Sequence, residues 1–196
     1  MAAREVDAII LGAGIIGSAC GFELAKKGWQ TLNVDALPAA GYGSTSNSSA
    51  IIRVYYSTVD STAMAYESWF RWKDWQNWLG VEDERGTAHL RETGTLVMKT
   101  EQNGYMERSC DIMDTVGIPY EHWDAARIRE RLPVYDLSKY APAKLASDPA
   151  FGEPTGGELE GGLYFPTGGY VNDPQLAAHN LQCATEARGG EVLFNK

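Results

Sequence analysis

Ala8 to Leu11 is an unbroken apolar run between Asp7 and Gly12, the pattern of a short strand buried on both faces of a parallel sheet. Glycines at 12, 14 and 17 follow it, and the pattern then turns helical. Leu24 and Ala25 continue the helix's apolar face, Gly28 ends it, and Thr31 to Val34 reads as a second strand. Strand, glycine turn, helix and strand in this order open an α/β sheet.

Further along, Ile51 and Ile52 are expected to draw the end of a small-residue loop into the core. Asp60 to Gly80 predicts a helix, with Asp60 or Ser61 as N-cap and Gly80 as the stop. Trp69, Trp72, Trp75 and Trp78 recur along it at intervals of three, which a buried helix face explains more simply than an aromatic binding stripe. Thr93 to Thr100 alternates as a strand, and Glu101 to Val116 is a predicted helix closed by Gly117. Ile118 to His122 reads as a short strand, and Asp124 caps a helix that runs through Leu132 and stops before Pro133. Pro133 to Gly162 is rich in Pro, Gly, Asp and Glu and predicts an irregular excursion, either a surface insertion or a lid. Gly162 to Asn172 predicts two strands about a Thr-Gly-Gly turn. Asp173 and Pro174 start a helix with Leu176, Leu181, Ala184 and Ala187 on one face, ended by Gly189 and Gly190. Glu191 to Phe194 begins a last strand, whose neighbours are expected in sequence beyond residue 196.

The first turn carries the chemistry. Gly12, Gly14 and Gly17 have G-x-G-x-x-G spacing: one for the sharp turn, one for close approach of a pyrophosphate, one for helix packing on the sheet. The helix start that follows offers free N–H groups and a dipole that favours negative charge. Asp35 stands 18 residues beyond Gly17, where a carboxylate can grip ribose hydroxyls and would repel the 2′-phosphate of NADP. The loop from Pro38 to Ser49 either is a flexible linker or lies over the cofactor, with Ser44, Thr45 and Ser46 donating hydrogen bonds to it.

Composition narrows the partners. The 196 residues are 44% hydrophobic, enough for a substantial core, and 17 Lys plus Arg against 26 Asp plus Glu give a net charge of −9. That balance argues against nucleic acid. No apolar run approaches the ~18 residues of a membrane span, so a cytoplasmic protein is expected. Cys20, Cys110 and Cys183 are odd in number and scattered, as suits reduced thiols, and Cys20 reads as a packing residue. His89, His122 and His179 are read as lacking metal spacing and nearby cysteines, so no metal site is expected.

Four features together resemble the FAD-dependent oxidoreductases of the D-amino-acid oxidase type, nearest to sarcosine oxidases and dimethylglycine dehydrogenases. They are GAGIIG with Asp35, the loop GSTSNSSAIIR, GTLVM followed by a helix and WDAARIRERLP, and GLYFPTGGYVNDPQLAAHNLQCATEARGG. The resemblance implies a truncated α/β fold: a Rossmann-like FAD-binding domain interleaved with an α+β substrate domain. Residues 1–85 would begin the first, 86–172 the second, and 173–196 return to the first. A further half, with the second set of pyrophosphate and flavin contacts, would come from a C-terminal part or a complementary chain. FAD would be held by Gly12, Ala13, Gly14, Ile15, Ile16, Gly17, Asp35, Ala36, Ser44, Thr45 and Ser46. Arg53 would bind the substrate carboxylate, the alternative being a structural ion pair. Tyr56 would lie near the pocket, the alternative for it and Tyr55 being packing. Thr45 and Ser46 stand where members of the family carry histidines, which implies noncovalent FAD from this side. The implied reaction is oxidation of a small N-methylated amino acid by hydride transfer to flavin, with electrons passing to oxygen or a redox partner. Alternatives are a D-amino acid or glycine oxidase, a 2-hydroxyacid or glycerol-3-phosphate dehydrogenase, and a noncatalytic nucleotide-binding fragment.

Overall fold

A computed structural model describes residues 5–101, 103 and 106–196. Two compact units emerge: Met1–Ile52, Glu67–Glu92 and Gly169–Lys196 form unit 1, and Arg53–Tyr66 with Thr93–Gly168 form unit 2. The chain therefore leaves unit 1 and returns to it, and Arg53–Tyr66 keeps company with the later segment.

Unit 1 begins with β1 (Ala8–Leu11), α1 (Ile15–Lys26) and β2 (Thr31–Val34). β1 and β2 are parallel, with Ala8 opposite Thr31. Downstream come β3 (Ile51–Ile52), α2 (Val59–Lys73, its later half in this unit), α3 (Trp75–Leu79) and β4 (Leu90–Glu92). In unit 2 follow β5 (Thr95–Met98), α4 (Met106–Val116), β6 (Glu121–Asp124), α5 (Ala125–Arg131) and β7 (Gly161–Phe165). Unit 1 closes with β8 (Gly169–Val171), α6 (Pro174–Glu186) and β9 (Glu191–Leu193), the last parallel to β2. Its first sheet thus has the order β1-β2-β9, and an antiparallel sheet of order β3-β8-β4 completes it. Ala177, Leu181 and Ala184 are almost wholly buried in one cluster with the fully buried Phe22 of α1, and the small alanines of α6, Ala178 among them, let it lie close to α1. Asp173 caps α6 by accepting from Leu176 N at 2.8 Å, with Pro174 at the first helical position, as its sequence predicts.

Unit 2 is an antiparallel sheet of order β5-β7-β6. Its core includes Trp123, Ile128 and Leu137, with Trp123 stacked on Tyr164 at 4.2 Å between ring centres. Asp124 caps α5 by accepting from Arg127 N at 2.7 Å.

Several expectations are corrected. The helix over 60–80 begins one residue earlier, with Thr58 rather than Asp60 or Ser61 accepting from the first turn, and it breaks at Asp74. Trp72 and Trp75 stack at 4.3 Å on either side of the break; Trp69 and Trp75 are buried, so the tryptophans build core. Ile51 points outward because consecutive strand residues face opposite sides, leaving only Ile52 against the core. The two strands of 162–172 do not form a hairpin. β7 already has β5 and β6 on its two edges, and β8 joins β3 and β4 instead. The strand expected at Ile118 starts at Glu121, since Ile118 N donates to Met113 O and is tied to the end of α4. Of the helix expected over 101–116, Gln102, Gly104 and Tyr105 lie outside the described residues.

Candidate functional site

The start of α1 is assembled from three stretches of unit 1. Gly12 leaves β1 with φ +104°, a conformation open to glycine and costly to other residues. A Cβ on Gly17 would collide with the Gly12 carbonyl oxygen, so this glycine sets how closely the helix follows the strand. Gly14 is the N-cap of α1 and has no side chain with which to cap it. Thr45, reaching in from the following loop, accepts from Ile15 N at 3.0 Å and is buried. The N–H groups of Ile16 and Gly17, one and two residues further into the first turn, have no acceptor within the helix.

Asp35 closes the arrangement from the end of β2. Its Oδ2 accepts from Ala13 N at 2.6 Å and its Oδ1 from Leu37 N at 2.8 Å, which fixes the carboxylate while lone pairs remain for hydroxyl donors. Ala36 is exposed beside it. Beneath the turn, Asn33 is buried in β2 and donates to Gly17 O at 2.9 Å, and Ser18 donates to Ala13 O at 3.1 Å. Sequence reading passed over Asn33, although an amide inside the strand TLNV was the available signal. Ser44 is exposed, and Ser46 spends its hydroxyl on Gly43 O at 3.0 Å. Of the three hydroxyls expected here, only Thr45 reaches the helix start. Next to Thr45 and Ile15, a crevice of about 180 Å³ is lined by Ala50, Ile52, Trp72 and Ala177.

Arg53 and Tyr56 belong to unit 2, where they meet each other. The guanidinium lies 4.7 Å from the Tyr56 ring centre and 5.3 Å from that of Tyr55, which itself stacks on Phe165. Hydrogen bonding to Tyr56 raises the Arg53 pKa against a smaller opposing effect of burial, with Tyr55 adding to the rise, so the group stays cationic. Among the described residues Arg53 forms no ion pair with a carboxylate.

A second cluster corrects the reading that no histidine has a cysteine near it. His179 and Cys183 stand one helical turn apart on α6, and both meet Asp83 from the loop after α3. No helix among the described residues is long and apolar enough to cross a membrane.

Comparison with known proteins agrees with this architecture. A family model described as FAD dependent oxidoreductase (DAO) matches residues 7–196. The peroxisomal sarcosine oxidase of Mus musculus is 31% identical over 129 residues, an overlap covering 65% of this chain and 31% of that protein. Among solved structures, L-proline dehydrogenase from P. horikoshii superposes with a TM-score of 0.74 at 21% identity, covering 95% of this chain and 43% of the other. Glycine oxidase from Geobacillus kaustophilus gives 0.69 at 21% identity, covering 98% and 47%. The chain thus spans about a third of the length of the sarcosine oxidase and under half of either solved structure.

Proposed function

The chain belongs to the FAD dependent oxidoreductase (DAO) family, and from that premise we propose that it forms the FAD-binding and first substrate-binding segments of an enzyme that oxidises the C–N bond of a small amino acid, N-methylated as in sarcosine or dimethylglycine. The observation that carries this reading is the start of α1: a glycine N-cap without a side chain, two N–H groups without helical acceptors, and a carboxylate fixed beside them. These residues fit a dinucleotide. The backbone from Gly12 through Gly17 takes the pyrophosphate, Asp35 and Ala36 the ribose, and Thr45 holds the turn in shape, with Ser44 and Ser46 at the rim. FAD, when bound, supplies the two-electron acceptor that no side chain here provides.

This chain's own residues bind and orient. Unit 1 is the FAD segment and unit 2 the start of the substrate domain. Arg53 takes the substrate carboxylate: its charge is uncommitted to any described acid, and Tyr56 and Tyr55 restrict where the guanidinium can point. Its orientation of the carboxylate places the C–N bond for oxidation. Oxygen or a redox partner reoxidises the system. The free cysteines favour the cytoplasm. β1 pairs among the described residues only with β2, and Ile9 and Leu11 are exposed, so a complementary segment or chain completes the sheet.

The complete enzyme, loaded with FAD, tests the substrate class. Bleaching of the flavin spectrum under anaerobic conditions by sarcosine or dimethylglycine, and not by 2-hydroxyglutarate, is expected. Bleaching by hydroxyacids alone would overturn the amine reading. Arg53→Ala should retain FAD and raise KM for carboxylate substrates about tenfold or more, since each charge-assisted bond contributes about 1.5 to 3 kcal/mol. An unchanged KM removes Arg53 from the substrate site.

A further inference from the structure

Three side chains of unit 1, none of them among the residues assigned above to FAD or substrate, converge on one another. Asp83 Oδ2 lies 2.6 Å from His179 Nδ1 and 3.6 Å from Cys183 Sγ, and that sulfur lies 3.6 Å from the same Nδ1. Asp83 is 4% exposed at its side chain and His179 17%, so the cluster is sheltered yet reachable. Asn180 anchors it from within the fold. Buried in α6, it donates to Asp83 Oδ2 at 2.7 Å and to Gly86 O at 2.9 Å, and it accepts from Ala88 N at 2.9 Å. Arg85 N donates to the other carboxylate oxygen at 2.9 Å.

Two uses suit a thiol, an imidazole and a carboxylate. A nucleophilic relay needs the imidazole between the other two, with one ring nitrogen facing each. Here both the thiol and the carboxylate face Nδ1, so the relay is not built. Shared coordination is. With bonds of about 2.3 Å to sulfur, 2.05 Å to nitrogen and 2.1 Å to oxygen, tetrahedral angles place sulfur ~3.6 Å from each of the other ligands and nitrogen ~3.4 Å from oxygen. Both sulfur separations already have that value. Only the nitrogen–oxygen edge must widen, by giving up one hydrogen bond.

We propose that Asp83, His179 and Cys183 form a three-ligand site for a divalent cation of the zinc class, with the fourth position left to water. Thiolate and imidazole select Zn²⁺ or Co²⁺ over Mg²⁺ and Ca²⁺, which prefer oxygen alone. The bonds to Asp83 from Asn180 and Arg85 are the outer support that orients a ligand. Occupancy ties the loop after α3 to α6. On binding, the Cys183 S–H bond breaks, its proton goes to solvent, and the sulfur lone pair bonds the cation; nothing is oxidised or reduced. Burial first, and then the Asp83 charge and hydrogen bond, push the Cys183 thiol up to about 11; Glu186 adds to the rise and Arg85 opposes it.

The test is titration of the chelator-treated full chain with Co²⁺ alone. One equivalent should give a thiolate-to-cobalt charge-transfer band in the near ultraviolet, displaced by Zn²⁺, lost in Cys183→Ser and kept in Cys20→Ser and Cys110→Ser. A second measurement needs no variant: saturating Zn²⁺ should slow alkylation of Cys183, read by mass spectrometry, at least tenfold while leaving Cys20 unchanged. No band from the unvaried chain, a band that survives Cys183→Ser, or alkylation of Cys183 indifferent to Zn²⁺ would each overturn the assignment.

Discussion

Within unit 1, α1 and α6 lie side by side in one core but are furnished in opposite ways. The start of α1 is stripped of side chains: Gly14 caps it with none, Gly17 has no room for one, and Thr45 covers only the first N–H. The middle of α6 is crowded with them, since His179, Asn180 and Cys183 all converge on Asp83. The start of α1 leaves donors open for an anion, and the middle of α6 gathers groups whose mutual bonds a cation can replace. Backbone donors make a site where side chains are absent, whereas side-chain ligands make one only where the fold brings distant residues together.

The contrast can be broken most severely at the glycines. Gly17→Val drives side-chain carbons into the Gly12 carbonyl, which is backbone and cannot turn aside, so about 3 kcal/mol of stability or more should be lost. Thermal unfolding followed by circular dichroism would show it, and an unshifted midpoint would mean that the helix does not need this close approach.

A smaller loss is expected one layer down. Asn33→Ala removes the amide that donates to Gly17 O beneath the turn, at a cost of about 0.5 to 1.5 kcal/mol. Denaturant unfolding measures it, and a change below about 0.5 kcal/mol would reduce Asn33 to a filler of space.

The least effect should come from pH at the α6 cluster. Burial works to raise the Asp83 carboxyl, but the N–H of Arg85, His179 and Asn180 outweigh it and hold the group below the ordinary carboxylate range. A depressed folded pKa contributes stability above about pH 4 that is lost as pH falls through the folded value. Between about pH 5 and pH 3, Asp83→Asn should therefore lose less stability than the unvaried chain. Parallel loss in both would show that other carboxylates govern acid unfolding.

What could be read from the sequence follows the same division. The turn at Gly12, Gly14 and Gly17 was legible because its parts are contiguous and each glycine answers a local steric demand. The caps at Asp124 and Asp173 and the stop at Gly80 were legible for the same reason. Partners across the sheets were not. The pattern of 162–172 specifies two strands, but whether they pair with each other depends on edges already filled by β5 and β6. Asp83 and His179 are 96 residues apart, so no spacing rule joins them. His179 and Cys183, one turn apart, were the half of that cluster a helical reading could have found.

Flavin fluorescence during titration of the purified chain with FAD, set beside the same titration of Gly14→Val, tests the central claim most directly. Saturable binding by the unvaried chain is expected, and the variant should bind at least a hundredfold more weakly, because a Cβ at Gly14 would stand 3.1 Å from Thr45 Oγ1 and the longer side chain would crowd the turn assigned to the pyrophosphate. Equal affinity in the two proteins would contradict the assignment of the α1 turn to the dinucleotide.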